Sequence, residues 1–289
     1  LDNFKGLISL NNSVPFIQSD NYNKEKGEYS SPALQVYADN LNRDGFCVLN
    51  LGINNSIIDR INFDIDTIIK KNNFKKNSHA YHYNDSPRIV EAWKYSDSIR
   101  KIVFNEKLIN FLAYCYNSNP IPISTINFLK GAEQPLHSDE FHFGSIPHGF
   151  ITGCWVALED ILDESGPLTV VKGSHKLPLF SFEEIGVNIP RSESEFKEAY
   201  SKYEDWVKVK VEENCLEVIS LPIKKGECII WLGNSLHGSI PIKNEKLSRK
   251  SMAIHYHYEK CDKIFYPSYS NLKEGKFVYR SIKDIKIPK

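Results

Sequence analysis

The chain has little that would mark it for a membrane, a nucleic acid or an oxidising compartment. Its six cysteines, Cys47, Cys115, Cys154, Cys215, Cys228 and Cys261, include no C-x-x-C pair. That argues against a zinc knuckle or a dense disulfide framework and reads as buried thiols in a reducing environment. It also lacks any excess of charge: 36 basic residues balance 36 acidic ones, so the summed field offers no general attraction for nucleic acid or anionic lipid. A small neutral or weakly charged partner fits better. No stretch approaches about 18 uninterrupted apolar residues, and the opening "LDNFKGLISLNNSVP" has no basic run followed by a long apolar one. The expectation is a soluble, cytoplasmic protein with no membrane and no nucleic-acid partner; the sequence carries no signal for oligomeric state.

Internal repeats and Pro/Gly/Ser-rich linkers are absent too, so the 289 residues read as a single domain, 1–289, large enough to bury a substantial core. Residues 1–30 are polar and read as a surface segment. A helix is expected from Ser31 and Pro32 to about Asp44 and Gly45, then a strand from Phe46 to Leu51. "NSIIDRINFDIDTIIKK" has apolar residues at helical spacing, with Asn55 or Ser56 as cap, and a further helix is expected from Ser96 to Tyr116. After residue 120 short β-branched and aromatic runs alternate with turn signals as far as residue 260, which suggests an antiparallel sandwich or barrel. Residues 179–214, mixed helix and loop, interrupt that rhythm and read as an insertion near one mouth of the sandwich. Its charged runs are expected to be a solvated helix face, with a mobile lid as the alternative.

What the sequence does have is a run of polar residues in strand-like surroundings. In "QPLHSDEFHF" His137 and Asp139 stand at i and i+2, which on a strand puts both side chains on one face. By itself H-x-D is either half of a metal site or an incidental polar pair. His237, in "GECIIWLGNSLHGSIPI", supplies a second imbalance toward metal: two imidazoles and one carboxylate make the facial triad of non-haem Fe(II), which leaves positions open for a cosubstrate and oxygen. Arg249 opens the strand "RKSMAIHYHY" twelve residues later, and its planar fork suits a carboxylate held by two hydrogen bonds.

These segments taken in order, H-x-D, then "WVALED", "GPLTVVKGSH", "HGS" and "RKSMAIHY", resemble the phytanoyl-CoA dioxygenase family of Fe(II)/2-oxoglutarate oxygenases over roughly residues 120–260. The resemblance implies a mostly β protein with flanking α: a double-stranded β-helix, or cupin-like jelly roll, with N-terminal helices packed on one sheet. It implies Fe(II), 2-oxoglutarate and O2 as cofactors, a small-molecule substrate, hydroxylation of an unactivated C–H bond, and release of succinate and CO2. It assigns iron to His137, Asp139 and His237, and the distal carboxylate of 2-oxoglutarate to Arg249 and Ser239. It places Trp155 near the iron pocket and Asn127 as an amide contact for the cosubstrate. Related halogenases carry a small residue where this chain has Asp139, so a carboxylate here favours hydroxylation, with desaturation, ring closure or epimerisation as the alternatives. Leu136 and Lys172 depart from the family's usual tryptophan and proline at those positions. The alternatives are a jelly-roll metal or ligand binder without catalysis and a cupin-like metalloenzyme that does not use 2-oxoglutarate.

Other histidines have quieter readings. His255 and His257 share the Arg249 face by parity and read as structural or substrate-wall residues. His175 in "KGSHK" braces a turn with Ser174. His142 and His148 lie in the loop after H-x-D, where His142 is a substrate candidate. In the aromatic and polar stretch from Ser78 to Ser96, Tyr81, His82, Arg88 and Trp93 are further candidates, against the alternative of a seam between helices and sheet.

Overall fold

The protein is described by a computed structural model covering residues 14–26, 32–72, 88–265 and 272–287. In chain order the elements are α1 (Tyr22–Glu25), α2 (Pro32–Asp44), β1 (Phe46–Asn50), α3 (Asn55–Asn72), β2 (Arg88–Val90), α4 (Asp97–Val103), α5 (Glu106–Tyr116) and β3 (Pro120–Phe128). There follow α6 (Asp139–Phe143), β4 (Ser145–Ile146), β5 (Ile151–Ala157), β6 (Leu168–Val171), α7 (Glu193–Glu213), β7 (Val218–Ser220), β8 (Glu227–Leu232), β9 (His237–Ser239) and β10 (Ser251–Tyr258). Short pairs end the chain: β11 (Lys263–Ile264), β12 (Leu272–Lys273), β13 (Lys276–Phe277) and β14 (Arg280–Ser281).

A six-stranded sheet in the order β1-β8-β5-β10-β3-β2 faces a three-stranded sheet β7-β6-β9. Period-two alternation divides each long strand between two environments. On the outer face Cys154, Val156, Cys228, Ile230, Met252, Ile254 and Tyr256 join the large core shared with α2, α3, α4 and α5. On the inner face Trp155, Ala157, Ile229, Trp231 and Ala253 meet Leu168 and Val170 of the smaller sheet. This is the jelly roll with helices packed on one sheet. Because both faces of the large sheet are covered, β5 and β10 are buried at every position, and β5 accordingly reads as a near-continuous apolar run.

Several boundaries differ from the sequence reading. Residues 14–26 do not run over the surface: Phe16, Ile17 and Tyr22 are in the core, and the Tyr22 hydroxyl donates to Asp39 at 2.9 Å. The long helix expected from Ser96 to Tyr116 is two helices, because the Asn105 side chain accepts from the Leu108 amide and starts α5 afresh, while Ser96 caps α4. Asn54, not Asn55 or Ser56, caps α3, its Oδ1 accepting from the Ser56 amide. The barrel sheet also extends beyond residues 120–260, taking in β1 and β2 as its edges. Ser31 lies outside the described residues.

Residues 179–214 are anchored by an aromatic cluster. Phe196, Tyr200 and Tyr203 of α7 bury against Phe141 of α6, with the Tyr203 and Phe141 rings stacked at 4.2 Å. The outer side of α7 carries the exposed pairs Lys197–Glu193, Lys202–Glu198 and Lys208–Asp205, the solvated face that its charge pattern indicated.

Candidate metal centre

His137 and His237, a hundred positions apart in sequence, are joined by their backbones: the amide of each donates to the carbonyl of the other at 2.9 Å, an isolated antiparallel bridge. Ser174 secures the second of the two, donating to the Val171 carbonyl at 2.7 Å while accepting from the Leu236 amide at 2.8 Å. Tyr203 secures the first segment, its hydroxyl accepting from the Ser138 amide at 2.9 Å. The H-x-D segment is therefore no regular strand. His137 sits in the bridge, Ser138 is extended, and Asp139 already begins α6, yet the three side chains converge: donor atoms of His137, Asp139 and His237 all lie within 4.8 Å of one another, and all three residues are buried.

Tautomers follow from the hydrogen bonds. Nδ1 of His137 lies 2.9 Å from the Pro135 carbonyl and Nδ1 of His237 lies 3.1 Å from the Ser235 carbonyl. A carbonyl only accepts, so each Nδ1 carries the proton and each Nε2 keeps a lone pair. The Gln134 amide donates to the His137 Nε2 at 3.1 Å. Burial pushes both imidazoles below the ordinary histidine value. Burial alone would raise the Asp139 carboxyl, but the imidazoles of His255 and His237 reverse this and hold it well below the usual carboxylate range. The set is thus two neutral nitrogen donors with backbone-oriented rings and one anionic oxygen donor, enclosed between the sheets. That is what a first-row divalent cation takes, with the carbonyls orienting the rings.

Arg249 is almost fully buried on the same inner face. Its Nη1 donates to the Gly166 carbonyl at 2.7 Å, and its guanidinium lies over the Trp155 ring at 5.3 Å and the Phe128 ring at 5.7 Å. Its Nε has no hydrogen-bond partner among the described residues. Burial, then the nearby Arg88, push the guanidinium down to about 9; a lone cation is disfavoured here and an anion would relieve it. Trp155 thus forms part of the Arg249 seat. Ser239 is two residues beyond His237 on β9 and shares its face, with its Oγ accepting from the Gln134 amide at 3.0 Å.

The remaining candidates divide. His142 is brought to the centre: its ring is 5.5 Å from that of His137, its Nε2 lies 3.2 Å from the Tyr200 hydroxyl, and burial lowers it to about 4. Arg88 also stands over the Phe128 ring, at 5.4 Å, so it belongs to the Arg249 end. Asn127 is not brought in. It pairs across the sheet with Met252, whose side chain lies in the helix-facing core, and its amide has no partner among the described residues. Trp93 is likewise in that core, donating to Glu91 at 3.0 Å. Tyr81 and His82 lie outside the described residues. His175 braces its turn as expected, with Nε2 3.0 Å from the Asn42 carbonyl. His148 lies 3.0 Å from Glu140.

Two residues near the three candidate metal ligands were missed in the sequence. Trp231 donates from Nε1 to Asp139 Oδ2 at 2.8 Å, and His255 Nε2 lies 3.5 Å from the same oxygen. The parity of His255 with Arg249 was visible; its approach to Asp139 was not. A separate cavity of about 650 Å³ lies behind the H-x-D segment. Ser138 and Glu140, which alternate with the ligands, line it together with Phe141, Phe180, Phe182 and Phe277; none of the three donors does.

The fold is shared with solved oxygenase structures. The non-heme alpha ketoglutarate dependent carbocyclase SnoK from nogalamycin biosynthesis matches with a TM-score of 0.63 over 87% of this chain and 94% of that one, at 14% identity. EctD from S. alaskensis with bound Fe matches with a TM-score of 0.58 over 82% of this chain and 79% of that one, at 17% identity. In sequence, a probable phytanoyl-CoA dioxygenase of Caenorhabditis elegans is 26% identical over 198 residues, 66% of this chain and 59% of that protein. The human peroxisomal phytanoyl-CoA dioxygenase is 28% identical over 135 residues, 47% of this chain and 36% of that protein. The matched regions thus span 36% to 59% of the length of these relatives. The model of the phytanoyl-CoA dioxygenase family matches residues 41–251, a span that runs from the helix before the first barrel strand to the strand after Arg249. With His137, Asp139, His237 and Arg249 all inside a match that covers more than half of the chain, the chain belongs to the phytanoyl-CoA dioxygenase family.

Proposed function

We propose that this protein is an Fe(II)- and 2-oxoglutarate-dependent oxygenase that hydroxylates an unactivated C–H bond of a small molecule, releasing succinate and CO2. The observation that carries the reading is the pairing of two features on one inner surface: three buried donors, His137, Asp139 and His237, and a buried guanidinium, Arg249, whose Nε has no hydrogen-bond partner among the described residues. A metal-binding scaffold without catalysis has no need of the second feature. The solved structures of this fold described as non-heme alpha ketoglutarate dependent, and the EctD structure with 2-oxoglutarate and 5-hydroxyectoine, support the same reading.

In this assignment His137 and His237 present Nε2, and Asp139 presents a carboxylate oxygen, to the metal. Arg249, with Ser239 beside it, takes the distal carboxylate of 2-oxoglutarate, and Trp155 and Phe128 hold the guanidinium flat for two parallel hydrogen bonds. Iron with its cosubstrate supplies the oxidising power; the protein orients one C–H bond and excludes water from the site. His142, beside His137, and Arg88, beside Arg249, are the described residues placed to touch substrate or cosubstrate. No described helix is long and apolar enough to cross a membrane.

The test is anaerobic. Adding Fe(II) and 2-oxoglutarate to the metal-free protein should produce a weak visible charge-transfer band, and admitting oxygen should then release succinate. His237→Ala should lose both. A folded, iron-loaded wild-type protein that gives neither signal would refute the reading and favour a binding role.

A further inference from the structure

The two oxygens of Asp139 have different surroundings. Oδ1 faces His237, 3.7 Å from its Nε2. Oδ2 accepts the Trp231 indole N–H at 2.8 Å and lies 3.5 Å from Nε2 of His255. Both of these side chains come from a single row across the large sheet. Trp231 of β8 pairs with Gly153 of β5, Gly153 pairs with His255 of β10, and His255 pairs with Ser124 of β3. Directly opposed residues share a face, so the row runs along the inner surface beneath Asp139, and its members are buried.

Each position in the row has a physical part. Gly153 keeps a lane open: a Cβ there would run into the Trp231 indole, so only glycine lets that ring lie across β5 with its N–H aimed at Asp139. Ser124 Oγ is 3.0 Å from His255 Nδ1. With the hydroxyl donating to Nδ1, the ring proton resides on Nε2 and points to Oδ2. Phe143 stacks on the His255 ring at 4.6 Å and holds its plane.

We propose that the row Trp231, Gly153, His255 and Ser124 is a positioning device that makes Asp139 a one-oxygen metal ligand. Trp231 and His255 occupy Oδ2, so only Oδ1 is offered to the ion beside His137 and His237. A carboxylate free to turn can chelate through both oxygens and take two coordination positions. Holding it to one leaves three positions for cosubstrate and oxygen. The same contact directs the His255 Nε2 toward a carboxylate oxygen. Trp231 and His255 are thus positioning residues that act through Asp139, and the inference rests on the metal-site reading above.

The test compares wild type with Trp231→Phe, which keeps an aromatic ring and removes the N–H, and with Gly153→Ala, which retains every donor but displaces the indole. Mn(II) affinity is measured by calorimetry, and the anaerobic Fe(II)–2-oxoglutarate band is recorded for each. The melting temperature of the metal-free proteins reports any purely structural effect. Partners of metal ligands typically govern affinity by about 10- to 100-fold, so both variants should bind Mn(II) roughly 10-fold more weakly and show a displaced band. His255→Phe, which keeps the stack on Phe143, should do the same and serves if either other variant fails to fold. Folded variants with wild-type Mn(II) affinity and an unmoved band would overturn the proposal. If wild type itself binds no metal, the metal-site reading fails instead, and the two failures are told apart by the wild-type titration.

Discussion

Arg249→Met separates a cosubstrate anchor from a structural arginine, because the two roles give opposite stabilities. In the ligand-free protein the Arg249 guanidinium donates to one carbonyl, Gly166 at 2.7 Å, and meets two aromatic faces at 5.3 and 5.7 Å. A hydrogen bond from a charged group contributes about 1.5–3 kcal/mol, and each cation–π contact about 0.5–1 kcal/mol. Against them stands the desolvation of a buried charge with no acidic partner among the described residues, several kcal/mol. These nearly cancel, and methionine fills the same space without a charge. The stability of ligand-free Arg249→Met should therefore stay within about 2 kcal/mol of wild type. At roughly 2–4 °C per kcal/mol for a chain of this size, that is a few degrees in melting temperature. Cosubstrate binding should suffer far more, since truncating one partner of a buried charge pair costs about 2–5 kcal/mol. A loss near 3 kcal/mol is on the order of 100-fold in affinity. The assay is an anaerobic 2-oxoglutarate titration at saturating Fe(II), alongside thermal melting of the ligand-free protein. A fall of more than about 4 kcal/mol in stability, or cosubstrate affinity unchanged, would refute the reasoning.

Asn127→Leu should raise stability by about 1–3 kcal/mol, the cost of an unpaired buried amide, and leave 2-oxoglutarate affinity untouched, because Asn127 faces Met252 and the helices; weaker cosubstrate binding on titration would put its side chain back in the site. Tyr203→Phe strips the acceptor from the Ser138 amide between two metal ligands. Chemical denaturation should show a loss of about 1–3 kcal/mol, and an unchanged midpoint would show that α7 does not brace the H-x-D segment. His148 is raised above the ordinary imidazole value by its hydrogen bond to Glu140. A raised folded-state value means that its contribution is complete below about pH 6.5 and fades as pH climbs through the raised value. Melting curves across that window should show the decline in wild type and a flatter profile in His148→Gln, and identical profiles would remove the pair from the pH response.

The helices and strands were legible because their signals are local: α3 follows from side-chain spacing, and the strands from β3 to β10 from β-branched and aromatic runs set off by turn residues. Interruptions depended on single caps. Asn105 restarts a helix in the middle of an apolar pattern that continues on both sides of it, and the pattern carries no mark of the break. The burial of Phe16 and Ile17 was hidden for a related reason, since two apolar residues in a polar segment dock only because α2 and α5 leave a place for them. The three candidate metal ligands and Arg249 were readable as a set because the family's motifs occur in order along the chain. Asn127 shows the limit of motif reading, since a shift of one residue on a strand exchanges the inner surface for the outer one.

By itself the sequence determined the residue types available for chemistry, the balance of charge, the β-rich alternation and the order of the motifs, all of which are properties of neighbours along the chain. Only the tertiary structure decided which of nine histidines meet. His137 meets His237 through a backbone bridge that spans a hundred residues, and Trp231 and His255 reach Asp139 because three separate strands come into register. Register is set by packing between sheets and helices, and packing is a property of the folded whole, so no local pattern contains it.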